Sequence, residues 1–397
     1  MAGFAIRDVM NGIQEAPGKV WFWDLERAVI DAERCIQCGT CIAACPSDSI
    51  GIGSDDLPTL VKMCTGCSLC WDFCPRGGLR YEAAWTISGN DAASSALGRT
   101  EATYTVRAHR NISRAQDGGV VSALLIALLE VGDIDGALLA RPSERDPWKG
   151  EAFLARTPQD VLACAGSFYN QTMALGHLDL KSYDLPPNPR IALVGTPCEI
   201  EGFKAMQARP WNWGASRVEA VTLTIALLCT KSFNYEQLML GEIEAKRGIP
   251  LSSIDKIDIV HGKLFLFDHD GELLLDEPIR DFHGAMLKGC DECSDFLGHS
   301  ADISVGSVGS QKGYSSVLIR SEVGMAAFSQ VRDQLEIREL DNPRALEKLN
   351  ALDKRTAFGT LKRPFDPSAP LFIDYAEHLE YYDETDRAPV AHEAVRY

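Results

Sequence analysis

The chain contains two copies of a cysteine motif whose spacing suits iron–sulfur chemistry. In each copy four cysteines are separated by two, two and three residues, and a proline follows the last one. Three closely spaced thiolates surround one corner of an iron–sulfur cubane, and the fourth cysteine ligates the other cluster in two-cluster ferredoxins. We therefore expect two [4Fe–4S] clusters with crossed fourth ligands. The predicted ligand sets are Cys35, Cys38, Cys41 and Cys74 for one cluster, and Cys64, Cys67, Cys70 and Cys45 for the other.

Zinc and disulfide bonds account for this pattern less well. Zinc is usually bound by separated Cys-x2-Cys pairs rather than by four cysteines in a tight run before proline. The first twenty residues mix charged and apolar side chains and do not resemble a signal peptide. Cysteines spaced as metal ligands, without an export signal, indicate a reducing compartment. We expect a cytoplasmic protein, and a position on the cytoplasmic face of a membrane complex stays open.

Five further cysteines lie outside the two motifs. Cys198 and Cys229 each follow a predicted strand, and the pair Cys290-x2-Cys293 lies in a predicted loop. Loops at the carboxyl ends of strands form the usual binding edge of an α/β sheet. Four thiolates meeting there would suit a third cluster or zinc, and unrelated buried thiols are the third alternative. Cys164 has no partner in this scheme and is predicted to be a small buried apolar residue.

Two glycine-rich segments are further binding candidates. Gly118-Gly119 precedes a predicted helix, and the run Gly306–Gly313 lies between two predicted strands. Exposed backbone amides at such places can bind a phosphate or approach a flavin ring, although a tight connection between strands explains the second run equally well. The histidines, including His109, His261 and His283, match no familiar catalytic spacing. The sequence therefore predicts no side-chain acid or base.

Chain length and net charge limit the number of domains and the classes of ligand. A chain of 397 residues has room for two or three domains. Its net charge of −17 argues against nonspecific nucleic-acid binding. The longest apolar runs are too short to span a bilayer. The predicted organisation is an N-terminal extension (1–30) with a hydrophobic clasp at Trp21–Trp23, a ferredoxin domain (31–85), a linker (86–105), an α/β domain (106–345) and a C-terminal arm (346–397).

Strands and helices alternate through the larger predicted domain. This alternation indicates an α/β fold, which a small α+β domain of the bacterial two-cluster ferredoxin type precedes. Residues 255–276 alternate between apolar and polar side chains like a hairpin. The predicted strands are 136–140, 190–195, 221–228, 301–308 and 315–320, and the predicted helices follow Gly119 and cover 199–207, 234–248 and 324–335.

Several segments together resemble the family of beta subunits of coenzyme F420 hydrogenases and dehydrogenases. The resemblance covers roughly residues 100–330, and the ferredoxin module precedes it as in many members of the family. Each segment alone would be a weak signal, whereas their combination is specific. The segments are Gly118–Leu125, Gly195–Ile200, Leu228–Cys229, Cys290–Asp295, Ala301–Ser307 and Gly313–Val317.

The resemblance implies an α/β flavoprotein domain. Its FAD would take hydride from the reduced deazaflavin coenzyme F420, and a third [4Fe–4S] cluster beside it would be held by Cys198, Cys229, Cys290 and Cys293. Deazaflavins exchange hydrides and clusters carry single electrons, so a flavin between them connects the two kinds of chemistry. The implied cofactor-binding residues are Gly118, Gly119, Val120, Ser122, Ser167, Tyr169, Gly195, Thr196, Pro197, Gly306, Gly309 and Gly313.

The acidic tail of coenzyme F420 requires a local basic pocket on this acidic chain. The candidates precede the glycine pair: Arg107, His109, Arg110 and Arg114.

The resemblance also implies partner subunits of the dehydrogenase, hydrogenase or formate dehydrogenase type. The amino-terminal pair of clusters favours, by analogy, the input subunit of an F420H2 dehydrogenase. Phe168 stands where members of the family commonly carry lysine, which leaves open a ferredoxin-driven FAD reductase acting on another organic substrate, such as a pigment. A noncatalytic iron–sulfur relay is the alternative from another class, and it would hold no flavin.

Overall fold

The computed structural model describes residues 21–77, 96–207 and 215–360. A small cysteine-rich unit precedes a larger unit that is built around an eight-stranded sheet. This arrangement agrees with the predicted order of a ferredoxin domain and an α/β domain.

The two cysteine runs of the small unit fold in the same way. Residues two and four positions after the first cysteine of each run have left-handed backbones: Gln37 (φ 52°) and Gly39 (φ 76°), then Gly66 (φ 64°) and Ser68 (φ 68°). This conformation turns the chain sharply. Short helices follow both turns, and an antiparallel pair of strands separates the two runs. The elements are α1 (Phe22–Leu25, extended by the wider π-helical segment Glu26–Ile30), α2 (Thr40–Ala43), β1 (Ile50–Ile52), β2 (Pro58–Leu60) and α3 (Leu69–Phe73).

The predicted N-terminal extension is, in its described part, an integral piece of the small unit. Phe22 and Leu25 of α1 are buried against Cys41, Cys70 and their neighbours. The rings of Trp21 and Trp23 stack 5.0 Å apart beside this contact. The boundary expected at residue 30 therefore does not separate two bodies, because α1 supplies apolar surface that so short a cysteine-rich segment lacks. Residues 1–20 lie outside the described residues.

The large sheet is mixed, with a parallel centre. Its strand order is β13-β3-β12-β11-β7-β6-β4-β5, in which β11, β7, β6 and β4 are parallel and the outer strands pair antiparallel. The carboxyl ends of the parallel strands thus share one edge. The strands are β3 (Ala102–Ala108), β4 (Gly136–Pro142), β5 (Gly150–Ala155), β6 (Ile191–Gly195), β7 (Val221–Leu227), β8 (Lys256–Val260), β9 (Lys263–Phe267), β10 (Leu273–Pro278), β11 (Ile303–Gly306), β12 (Ser315–Ile319) and β13 (Leu335–Glu339).

The two faces of the sheet are covered by different elements. Alternate residues of each strand point to opposite faces. Ala137 and Leu139 pack with two of the helices, α4 and α7, whereas Leu138 packs with α6 and with Ala43 and Phe73 of the small unit. The helices are α4 (Val120–Glu130), α5 (Pro158–Ala163), α6 (Pro197–Gln207), the π-helical segment Glu236–Lys246, α7 (Glu322–Gln330) and α8 (Pro343–Thr360). Among the described helices, none has the length and apolar character to cross a bilayer.

Four predicted boundaries differ from the structure. Strand β3 begins inside the expected linker, 86–105, because Thr103–Ala108 pair with β12 and β13 at the sheet edge. The helix expected over 324–335 ends at Gln330, and β13 follows it. The expected hairpin is a three-stranded antiparallel sheet, β8-β9-β10. Helix α8 starts before the expected arm, 346–397, of which only the part up to residue 360 is described. The early start of β3 and the strand β13 depend on pairing with residues more than two hundred positions away, which local patterns do not reveal.

Candidate metal centre

The small unit brings its eight thiols together as the two crossed sets. Burial raises the pKa of Cys41 well above its usual range, and its thiol neighbours Cys38, Cys35 and Cys74 raise it further. Burial likewise raises the pKa of Cys70, and the thiols with the largest further effect on it come from the other set, Cys67, Cys64 and Cys45, ahead of Cys74. Cys74 therefore lies with the first run and Cys45 with the second.

Hydrogen-bond donors surround the sulfur atoms of both sets. Backbone amides two residues further along point at three of the sulfurs, a contact that stabilises negative charge on sulfur and tunes an iron–sulfur cluster. Thr40 Oγ1 lies 3.2 Å from Cys38 Sγ, and the Ser49 amide donates to Cys45 Sγ at 3.2 Å. The three amide contacts are Gln37 N to Cys35 Sγ (3.4 Å), Gly66 N to Cys64 Sγ (3.3 Å) and Arg76 N to Cys74 Sγ (3.4 Å).

These thiols fit iron–sulfur clusters by their chemistry. Burial raises the pKa of Cys74 to about 12, and the other thiols of its set are also raised, so buried thiolates here need bound positive charge. The second set lines a hollow of about 280 Å³, part of it open to solvent. In the described parts of the chain no three His, Cys, Asp or Glu side chains are placed to hold one metal ion. The ligands of a cubane bind different irons and stand further apart.

A third thiol set lies at the carboxyl edge of the sheet. Cys198 follows β6 and Cys229 follows β7, and these two strands are parallel neighbours. Cys290 and Cys293, on a 3₁₀ turn and the residue after it, are electrostatic neighbours of Cys229, and Cys293 is also a neighbour of Cys198. Burial raises the pKa of Cys293 to about 12. The tertiary structure thus assembles four thiols from three separate segments.

Polar side chains that the sequence analysis did not identify line the third set. Thr196 Oγ1 lies 3.1 Å from Cys198 Sγ. Gln171 Nε2 donates to Ser232 Oγ at 2.9 Å and lies 3.9 Å from the same sulfur. Glu199 Oε2 accepts from the Thr196 amide at 2.8 Å, and burial raises the pKa of its carboxyl to about 7. No spacing rule links Gln171 or Ser232 to the cysteines, so only the folded chain reveals them.

The first and third thiol sets touch each other. Cys38 of the ferredoxin unit belongs to one buried apolar cluster with Cys198 and Cys290, which Ile36 and Leu287 complete. The Cys38 thiol is the charged neighbour with the largest effect on the pKa of Cys198, which burial already raises. The thiols of the first and third sets are therefore in direct side-chain contact across the two units.

Two buried arginines fasten the ferredoxin unit to the loop of the third set. Arg34 forms a two-pronged ion pair with Glu292, through Nε to Oε1 at 2.9 Å and Nη2 to Oε2 at 3.0 Å. Arg76 Nε donates to the Gly289 carbonyl at 2.7 Å. Both arginines are 1% exposed. A two-pronged ion pair such as Arg34–Glu292 fixes the relative position of its two side chains, because both are desolvated and two hydrogen bonds join them.

We expect Gly289→Ala to loosen this junction. A Cβ atom at Gly289 would overlap the backbone carbonyl of Arg34 and approach Ile36 Cγ2 to 2.8 Å, and backbone atoms cannot give way as a flexible side chain can. Overpacking of this kind costs about 1–3 kcal/mol or more. Thermal unfolding should show a lower Tm and lost iron for this variant. Gly284→Ala is the matched control, since no atom lies within 4 Å of its Cβ position; equal effects in both variants would contradict the explanation.

Three of the glycines predicted to contact FAD are explained by packing within the protein. A Cβ at Gly118 would lie 2.8 Å from the Ser315 amide, and the Gly118 amide itself donates to Ser315 Oγ at 3.2 Å. Gly195 makes room for the Glu199 carboxylate, and Gly306 packs against Leu228. Of the other predicted contacts, Val120 and Pro197 are buried, while Ser122 and Thr196 are half-buried.

Two other glycines face open space at the same edge of the sheet. Gly313 (φ 82°) has no atom within 4 Å of its Cβ position, and Gly166 (φ 121°) has only the Arg114 carbonyl at 3.6 Å. Burial raises the pKa of Asp117, while Lys256, the Gly313 amide and Lys312 act against that rise. The loops around residues 114–119, 166–170 and 311–314 therefore converge, and backbone amides and lysines surround the place where they meet.

The predicted residues Ser167 and Tyr169 line a small aromatic hollow. Phe168 lines it too and packs against Gly150. Tyr169 OH donates to the Ile257 carbonyl at 3.3 Å. Gly309 (φ 93°) lies further away in the fold, against Ser316 and Leu346. The four basic candidates, Arg107, His109, Arg110 and Arg114, are all exposed where the chain leaves β3.

Cys164 lies apart from all three thiol sets. It is buried among the apolar residues on the α4 side of the sheet, as predicted, and burial raises its pKa to about 12.

Comparison with known proteins agrees with both units. Residues 188–343 match the C-terminal part of the family described as "Coenzyme F420 hydrogenase/dehydrogenase, beta subunit", residues 103–179 match its N-terminal part, and residues 28–80 match the 4Fe-4S dicluster domain. A chain from the F420-reducing [NiFe] hydrogenase complex of Methanosarcina barkeri superposes with a TM-score of 0.63 at 28% identity, over 68% of this chain and 94% of that one.

Curated relatives are similar over most of this chain. One subunit of the F(420)H(2) dehydrogenase of Methanosarcina mazei is 30% identical over 79% of this chain and 87% of its own length. The coenzyme F420-dependent sulfite reductase of Methanocaldococcus jannaschii is 30% identical over 83% of this chain, which spans only 50% of that enzyme. The chain therefore belongs to the family of coenzyme F420 hydrogenase/dehydrogenase beta subunits and carries a 4Fe-4S dicluster domain at its N-terminal end.

Proposed function

We propose that this chain is an oxidoreductase subunit that exchanges electrons between coenzyme F420 and iron–sulfur clusters, with FAD as the flavin between them. The observation that carries the proposal is the contact of Cys38 with Cys198 and Cys290. It joins the ferredoxin unit to a thiol set at the ligand-binding edge of an α/β sheet. Relatives that carry coenzyme F420 in their names support the choice of coenzyme.

The side chains have distinct tasks in this proposal. The first two thiol sets would hold the ferredoxin clusters, and Cys198, Cys229, Cys290 and Cys293 a third [4Fe–4S] cluster. Such clusters supply one-electron chemistry and a bound flavin supplies hydride exchange. The open backbone at Gly166 and Gly313 would receive the flavin, in an aromatic and amide-lined surrounding that requires no acid or base of its own.

In this proposal electrons travel between the third thiol set in the large unit and the outer set of the ferredoxin unit. The third set lies beside the converging loops of the large unit, and the set of Cys45, Cys64, Cys67 and Cys70 lies within the ferredoxin unit. Cys67 of that outer set is exposed. Electrons would thus leave or enter at the surface near Cys67, where another subunit of a cytoplasmic electron-transfer complex would bind.

The exposed arginines after β3 would attract the acidic tail of coenzyme F420. We expect Arg110→Gln to raise the KM for the coenzyme about three- to fivefold, since one exposed charge interaction contributes up to about 1 kcal/mol. Arg190→Gln removes the same charge from the start of β6, at the opposite edge of the sheet, and should leave KM unchanged. Steady-state kinetics at fixed ionic strength measures both. Equal KM values for the two variants would place the coenzyme elsewhere.

The function itself is tested by anaerobic mixing of cluster-replete protein with reduced coenzyme F420 and a viologen acceptor. Oxidation that is lost when FAD is stripped and returns when FAD is added establishes the proposal. A protein that binds FAD but does not oxidise the coenzyme would be a ferredoxin-driven reductase of another substrate. A protein that takes up no flavin would be an iron–sulfur relay.

A further inference from the structure

Two loops of the proposed flavin site are hydrogen-bonded to the same backbone carbonyl of the three-stranded sheet. Gln116 Nε2 donates to the Ile257 carbonyl at 3.1 Å, and Tyr169 OH donates to the same oxygen at 3.3 Å. Ile257 is 3% exposed and lies on β8, an edge strand of that sheet. An edge strand has backbone groups that no neighbouring strand uses, and one carbonyl oxygen can accept two hydrogen bonds. The sheet therefore holds both loops at one point.

The loop that contains Gln116 has further contacts with β8. Lys256 Nζ donates to the Gln116 carbonyl at 3.2 Å, and the side-chain amide of Gln116 also contacts Asp258 Oδ1. Lys256 and Asp258 form an ion pair with each other at 3.3 Å. Two residues after Gln116, the Gly118 amide donates to Ser315 Oγ, directly after the third of the converging loops. The edge of β8 therefore holds the first loop through both its side chain and its backbone.

The Tyr169 side chain points into the protein. Its ring packs against the apolar cluster on one face of the three-stranded sheet, which includes Phe233 and Leu266, and its carbonyl accepts from the Phe233 amide at 2.8 Å. Burial raises the pKa of the Tyr169 hydroxyl above its usual range, so the hydroxyl keeps its proton. Tyrosine has a single O–H donor, and the Ile257 carbonyl uses it here.

We propose that Gln116 and Tyr169 are positioning residues that hold two loops of the flavin site against β8, and that Tyr169 acts on the flavin only through the loop that it fixes. The inference rests on the proposed function. A loop that is already ordered loses less conformational freedom when its ligand binds, and the affinity is higher for that reason. Loss of either hydrogen bond should therefore weaken FAD binding, although neither bond is made to the flavin.

The test compares FAD binding and amide hydrogen exchange in the full-length, cluster-replete protein under anaerobic conditions. Tyr169→Phe removes only the hydroxyl, and Gln116→Met removes the amide at nearly the same side-chain length. Each should raise the dissociation constant for FAD, measured by equilibrium dialysis of the flavin-stripped protein, about threefold to tenfold, the net contribution of one hydrogen bond. Without flavin, amide exchange should become faster in residues 166–170 of the first variant and in residues 114–119 of the second.

Tyr183→Phe is the matched control. Its hydroxyl also lies 3.3 Å from a backbone group, the Leu154 amide, but this contact involves none of the converging loops. The control should leave the FAD affinity and the exchange of both loops unchanged. Gln116→Glu keeps the shape of the side chain but places a carboxylate against Asp258 and the Ile257 carbonyl. It should weaken FAD binding more than Gln116→Met does.

Unchanged FAD affinity in Tyr169→Phe and Gln116→Met would overturn the inference, as would an equal loss of affinity in Tyr183→Phe or parental affinity in Gln116→Glu. Weaker binding in Tyr169→Phe without faster exchange of its loop would mean that the hydroxyl contacts the flavin directly, which also contradicts the inference. A parent protein that takes up no FAD would contradict the proposed function instead. The exchange rates need no flavin: unchanged rates in both loops would then overturn the inference, and faster rates would support it.

Discussion

Cys74→Ser is expected to remove the cluster that is built by the first cysteine run, although Cys74 itself belongs to the second. The Cys74 thiol lies with Cys38 and is half-buried, so its loss leaves one iron of that cluster without a protein thiolate. With the three clusters of the proposed function, we expect about one third of the bound iron to be lost, because the sets of Cys45 and of Cys198 keep all their ligands. Iron analysis and EPR spectra of the reduced protein measure this.

The crossed ligand sets predict which cysteine variants will share the same EPR spectrum. Cys74→Ser and Cys38→Ser should give the same remaining EPR signals, and the double variant should lose no more iron than either single one. Cys67→Ser should lose a different signal. Cys164→Ser changes a buried thiol outside the three sets and is the control for loss of sulfur alone. If the spectrum of Cys74→Ser matched that of Cys67→Ser instead, the ligands would not be crossed.

Cys198→Ser is expected to stop electron exchange between coenzyme F420 and the ferredoxin unit while that unit stays loaded. Cys198 connects the carboxyl end of β6 to Cys38, so a defective third set interrupts the contact between the thiols of the two units. Changes to residues that merely support a metal ligand already cost about 10- to 100-fold. We therefore expect loss of a ligand to slow cluster reduction by the reduced coenzyme by about 100-fold or more.

Rapid mixing distinguishes this effect from general damage. Dithionite should still reduce the ferredoxin clusters of Cys198→Ser at the parental rate, because the outer thiol Cys67 is exposed. Reduction by coenzyme F420 at the parental rate would show that electrons do not pass through the third set. Slow reduction by both reagents would show that the ferredoxin unit was itself disturbed.

Much of the fold is visible in the sequence because its signals are local. Continuous apolar runs indicate β6, β7 and β12, and Pro197 indicates the first turn of α6. Strands β3 and β13 are not evident in the sequence, because β3 pairs with β12 and with β13, each more than two hundred residues away along the chain. Their own residues alternate only weakly, so the sheet partner rather than the local pattern stabilises them.

The glycines of the large unit show a different limit. Gly118, Gly195 and Gly306 stand in segments that resemble the coenzyme F420 hydrogenase/dehydrogenase beta-subunit family, yet in this structure their missing side chains are accounted for by Ser315, Glu199 and Leu228. A glycine in a motif indicates that a side chain is not tolerated at that position. It does not indicate whether a protein neighbour or a ligand excludes the side chain. Gly166 and Gly313, which do face open space, are distinguishable only once the loops are placed.

The sequence by itself determined the two cysteine runs and their sharp turns, because a cluster constrains the spacing of its ligands along a short segment. Only the tertiary structure decided that the third thiol set contacts the first, and that Arg34 and Arg76 form hydrogen bonds across this contact. The two arginine contacts join residues more than two hundred positions apart. They depend on how the two units pack against each other. Burial in that interface strengthens the electrostatic interactions of the two arginines.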